Sequence, residues 1–133
     1  MDTQRDEFGR TSLHYAANDG DGKTVRQLIA RGADVNATDN KGWTPLHFGA
    51  QANSEEVVCL LLQAGASVEA RDSYGNTPLW RAVFSSRGDG DVIQALRRAG
   101  SNADAENKSG VSPRSLAQSI ANYDVKQYFT GVT

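Results

Sequence analysis

One cysteine, two histidines and three prolines stand among 133 residues. The single thiol, Cys59, can form no internal disulfide, which fits a reducing compartment. The histidines, His14 and His47, have no cysteine or carboxylate at ligand spacing, so no zinc set is expected. Lys and Arg number 14 against 16 Asp and Glu, a formal net charge of −2. Without a basic excess there is no footprint for a phosphate backbone, so a nucleic-acid partner is not expected. No apolar run is long enough to span a bilayer, and the polar start Met1-Asp2-Thr3-Gln4-Arg5-Asp6 lacks the apolar stretch of a secretory signal. No membrane partner is therefore expected, and the cytoplasm is the expected address. No nucleophile–base pair, metal set or phosphate loop is apparent, so the chain is read as a non-enzyme without cofactors. Hydrophobic content of 38% and charged content of 23% suit a soluble folded protein. The length suits one domain, residues 1–133.

What the sequence does have is a period. Gly9, Gly42, Gly75 and Gly110 recur at almost constant spacing, each followed two residues later by Thr or Ser. The second copy reads Asp39-Asn40-Lys41-Gly42-Trp43-Thr44-Pro45-Leu46-His47, and the third Asp72-Ser73-Tyr74-Gly75-Asn76-Thr77-Pro78-Leu79-Trp80. The first runs from Asp6 through Thr11-Ser12-Leu13-His14, and a worn fourth from Asn107 through Ser112-Pro113-Arg114-Ser115. A second block, Leu28-Ile29-Ala30-Arg31-Gly32-Ala33, returns as Leu61-Leu62-Gln63-Ala64-Gly65-Ala66 and again around Leu96 to Gly100.

Each part of the unit has a mechanical reason. Asp bonds its own backbone and Gly supplies the positive φ of a tight turn. Thr or Ser caps the helix that follows, and Pro sits at its first position, where a missing N–H costs nothing. A second helix carries Val25, Leu28 and Ile29, then Val58, Leu61 and Leu62, at helical spacing. Gly32, Gly65 and Gly100 end it. The stretch from Ala33 to Ala37 is expected to be extended. One such unit cannot bury its apolar side alone, so the copies must stack.

With these motifs in register, the chain resembles the ankyrin-repeat family over roughly residues 6 to 129. The resemblance implies an all-α solenoid of four stacked helix-turn-helix repeats with hairpin-like loops, over about 6–38, 39–71, 72–106 and 107–129. It also implies non-catalytic recognition of a macromolecule, usually a protein, on a concave face. This sequence departs from the family pattern in four places. Ser12 replaces Pro, Trp80 replaces His, Arg114 stands where Leu is expected, and two extra residues enter around Ser85-Ser86-Arg87-Gly88-Asp89-Gly90. The fourth copy reads as a terminal cap, which favours a monomer when free.

Mapped onto this chain, the family's variable positions give a candidate partner-binding set: Phe8, Arg10, Lys41, Trp43, Gln51, Tyr74, Asn76 and Phe84. Aromatic residues with Arg dominate binding hot spots, and the fold does not require an aromatic at a turn tip. The alternative for each aromatic is packing on the neighbouring loop. Asp19, Asp21, Glu55, Glu56, Asp89, Asp91 and Asp124 recur near the turns between paired helices. They complement helix dipoles or form an acidic stripe that steers a basic partner. His14 and His47 share one repeat position and are read as structural. The inserted loop is expected to project outward, as a contact or as slack.

The expected function is inhibition or sequestration of one macromolecular partner, as an immunity protein neutralises a cognate toxin. The repeats fill nearly the whole sequence, and the chain's acidity would match a basic toxin. A passive adaptor, or a small kinase-inhibitor-like protein, is the alternative.

Overall fold

The computed structural model describes residues 4–120 and 126–129. The described residues form seven α-helices and one 3-10 turn, with no strand. The helices are α1 (Ser12–Asn18), α2 (Gly22–Ala30), α3 (Pro45–Gln51), α4 (Glu55–Gln63), α5 (Pro78–Ser85), α6 (Asp91–Arg98) and α7 (Pro113–Ser119). The 3-10 turn is Lys126–Phe129. The first helices, α1, α3, α5 and α7, pack side by side in one layer. The second helices α2, α4 and α6 form a second layer, each packed on the first helix of its own copy. The second helix expected for the fourth copy, with Asp124, falls largely outside the described residues.

The core follows the repeat register. Leu13, Leu46 and Leu79 hold one position and are fully buried. Val25, Val58 and Ile93 hold another, and Leu28, Leu61 and Leu96 a third, all buried between the layers. Ile29 and Leu62 are half-buried at the edge of the same core. In the fourth copy Arg114 replaces the leucine. Its guanidinium bonds Asp104 at 2.8 Å and the Phe129 carbonyl, and it lies over the buried Phe129 ring.

Helix boundaries have local causes. Thr44, Thr77 and Ser112 each accept the backbone N–H three residues on, and Pro45, Pro78 and Pro113 follow them. At the other end, Ala33 N–H reaches the Leu28 carbonyl at 3.0 Å past Gly32, and Ala66 reaches Leu61 likewise. The stretch after these glycines is not simply extended, as expected from sequence. It turns at Val35-Asn36, because the Asp34 carboxylate accepts the Asn36 N–H at 2.9 Å. Asn102 repeats this with Asp104 at 2.9 Å.

The loops before each first helix are built alike. One oxygen of Asp39 accepts two N–H groups, from Lys41 and Trp43, both at 2.9 Å. Asp72 does the same for Tyr74 and Asn76, Asp6 for Phe8 and Arg10, and Asn107 for Ser109 and Val111. Each loop then ties to the next by a backbone bond: Asn40 N–H to Phe8, Ser73 N–H to Lys41, and Lys108 N–H to Tyr74, at 2.8–3.0 Å. At this junction a Cβ on Gly42 would lie 3.1 Å from the Asp72 backbone, and its φ is +78°.

Candidate protein-binding surface

The loop tips and the first-helix layer hold all eight residues expected to meet a partner, and they divide into four kinds, Asn76 being the buried one. Phe8, Tyr74 and Phe84 are 50%, 56% and 61% exposed, far beyond the need of any packing contact. Lys41 is exposed at the second tip, and Gln51 is half-buried at the end of α3. Arg10 and Trp43 are half-buried, and each is held by neighbours.

Arg10 bonds the buried Asp39 at 3.3 Å. Its guanidinium lies 5.0 Å from the Phe8 ring centroid, 5.8 Å from Tyr15 and 5.1 Å from Phe48. The Tyr15 hydroxyl in turn donates to Asp6 and holds that carboxyl below its ordinary value. Tyr15, 39% exposed, therefore belongs to this surface, though sequence reasoning passed it over. The available signal was an aromatic side chain on the first helix at the repeat position that Phe48 and Arg81 occupy.

Trp43 is more joint than tip. Its ring lies 4.7 Å from Phe48 and 5.8 Å from His47, and Arg81 of the next copy covers it at 4.4 Å. Asn76 is corrected outright. It is only 4% exposed, and its side-chain oxygen accepts the Asn107 amide at 2.9 Å, so it holds two loops together and offers nothing to a partner.

The two histidines are framework groups. His14 Nδ1 accepts the Thr11 N–H at 2.9 Å, and its Nε2 donates to the Ala37 and Trp43 carbonyls at 2.9 and 3.0 Å. His47 accepts from Thr44 and donates to the Asn76 carbonyl at 2.9 Å. Burial pushes both imidazoles below their usual value. Trp80 takes this position in the third copy and cannot repeat the pattern. Its ring instead stacks on Phe84 at 5.6 Å, and its indole N–H is buried without a partner.

The acidic residues divide between capping and display. Asp21 accepts the Thr24 N–H at the start of α2, and Glu55, Glu56 and Asp91 lie in the first turns of α4 and α6. Asp19, Asp21, Glu55, Glu56, Asp89 and Asp91 are all exposed along that edge. Among the described residues, no group of three or more His, Cys, Asp or Glu is placed to hold a metal ion. No described helix is long and apolar enough to cross a membrane.

This repeated architecture defines a helical repeat protein with a continuous lateral face. The family model for ankyrin repeats in three copies matches residues 1–72, and that for a single ankyrin repeat matches residues 74–108. The chain belongs to the ankyrin-repeat family, and it is a protein–protein interaction module of the kind that family typically supplies without catalysis. No curated protein matches it.

Proposed function

We propose that the chain inhibits or sequesters one protein partner by covering it with the loop tips and first-helix layer, as an immunity protein neutralises a toxin. The observation that carries this reading is the exposure of Phe8 and Tyr74 at the loop tips and of Phe84 on a first helix. Rings this exposed offer large apolar area at low entropic cost to a partner that buries them. The exposed carboxylates along the adjoining edge support a partner with a basic patch, such as a nuclease toxin, drawn in by long-range attraction.

The test is capture from the native source with tagged protein, beside a Phe8→Ala, Tyr74→Ala double variant. One stoichiometric partner, lost with the variant and inactive while bound, is the expected result. A partner held equally by the variant, or two partners bridged with activity unchanged, overturns the reading in favour of an adaptor.

A further inference from the structure

A groove of about 600 Å³ opens between the ends of α3 and α5, lined by Gln51, Ala52, Asn53, Phe84, Ser85 and Arg87. This volume is in the range of clefts that hold small ligands or a few side chains. Its apolar wall is Phe84. One side of that ring rests against Trp80, nearly parallel at 16°, so its orientation is set before anything binds. The rest is open to solvent.

Its charged wall is Arg87. Among the described residues no hydrogen bond or ion pair engages this exposed guanidinium. No carboxylate lines the groove. Asp89, two residues away, has one oxygen on the Asp91 N–H at 3.0 Å and the other on the Asn53 amide at 3.3 Å. Arg87 also holds a φ of +51°, which a side chain of this kind rarely adopts. At the corresponding turns the other copies place Gly20 and Asn53, residues that tolerate it. The backbone is therefore held in a disfavoured shape at the one unpaired cation of the groove, a combination found at binding sites.

The inserted loop is also braced from behind. The Tyr128 ring lies against Gly90, where a Cβ would stand 2.2 Å from it, and its hydroxyl reaches the Gly88 carbonyl at 3.4 Å. A braced loop loses little entropy when it binds.

We infer that this groove receives a partner segment that carries a carboxylate beside an aromatic or other bulky apolar side chain, the carboxylate on Arg87 and the apolar group on Phe84. Guanidinium and carboxylate match in shape as well as charge. A lysine in the same place would meet a like charge. The inference rests on the proposed function: the acidic edge attracts a basic partner, and the groove selects one acidic–apolar element within it.

The test is selection of a random peptide library on the immobilised full chain. The expected outcome is enrichment of Asp or Glu within two residues of Phe, Trp, Tyr or Leu. Phe84→Ala and Arg87→Gln should each weaken the selected peptides about tenfold or more. Selection on Arg87→Asp should exchange the carboxylate for Lys or Arg, a reversal that simple loss of folding cannot produce. Peptides without a carboxylate, peptides indifferent to these variants, or no enrichment at all would overturn the assignment. The capture experiment above leaves Phe84 and Arg87 intact. A partner lost with the Phe8 and Tyr74 changes, together with a failed selection, removes the groove alone. Successful selection with no such partner removes the wider face alone.

Discussion

The Arg81 guanidinium stacks over the Trp43 ring at 4.4 Å while bonding the buried Asp72 at 3.1 Å. Trp43 belongs to the second copy and Arg81 to the third, so the pair joins two repeats across the layer of first helices. A cation over an indole face, partly withdrawn from water, is worth about 1–2 kcal/mol. Trp43 thereby contributes to folding, which its place at a loop tip did not disclose.

Trp43→Ala should therefore destabilise the chain by about 2 kcal/mol or more, because it removes contacts with Phe48, His47 and Arg81 together. Tyr74→Ala, at an exposed ring, should change stability by no more than about 0.5 kcal/mol. Urea unfolding of the two variants compares them directly. Equal effects would return Trp43 to the binding surface.

Asn76→Ala should cost about 1–2 kcal/mol, because it leaves the Asn107 amide without its acceptor in a half-buried site. Asn107→Ala should cost more, since it also removes the acceptor of the Ser109 and Val111 N–H groups. The double variant should cost little more than Asn107→Ala alone, because the bond to Asn76 is already lost in it. A double-mutant cycle by chemical denaturation gives the coupling, and simple additivity would show that the two amides act separately.

Stability should fall as the pH drops below the ordinary histidine range. Both imidazoles are neutral in the folded chain, with Nδ1 accepting a backbone N–H, and burial lowers their affinity for a proton. The stabilisation is complete above the unfolded value of about 6.5 and drains away as pH descends from there toward the lowered folded value. Asp6, Asp21 and Asp104, also held below their usual value, add losses only at lower pH, near and below about 4. His47→Gln keeps a side chain able to reach back to the cap and should flatten the dependence between about pH 8 and pH 5. Melting curves across that interval check it. An unchanged slope would remove His47 from the account.

Gly42→Ala and Gly110→Ala share a φ of +78° yet should differ. At Gly110 nothing stands within 4 Å of the added methyl, so only the backbone strain of about 1 kcal/mol applies. At Gly42 the methyl also presses on the Asp72 and Ser73 backbone at 3.1 Å, and the loop-to-loop bond beside it must shift. Gly42→Ala should be the more damaging by at least about 1 kcal/mol, read from unfolding midpoints. Equal effects would mean that the loops give way freely.

The architecture was legible because its signals are local and repeated. Turn glycines, caps, helix-starting prolines and leucines at helical spacing say the same thing in several copies. The surface was less legible, since tip positions are alike in sequence whether they face out or sideways. Trp43 and Asn76 hold the same place in neighbouring loops, yet one ring is clasped by Arg81 and the other side chain is buried under Asn107. Both fates depend on residues of the next copy, about a repeat away. Tyr15 and Arg87 were obscured for a related reason: the first is drawn into an aromatic cluster by Arg10, and the second stands out only once its backbone angle is known.

The loop-to-loop bonds from Asn40 to Phe8, Ser73 to Lys41 and Lys108 to Tyr74 each join only adjacent copies. The face they line is thus assembled joint by joint, each joint set by one pair of neighbouring copies. The contour offered to a partner is the sum of these local joints, and a substitution in one copy alters directly only the joints on either side of it. A change at Phe8 can therefore reach Phe84 only by way of every copy between them.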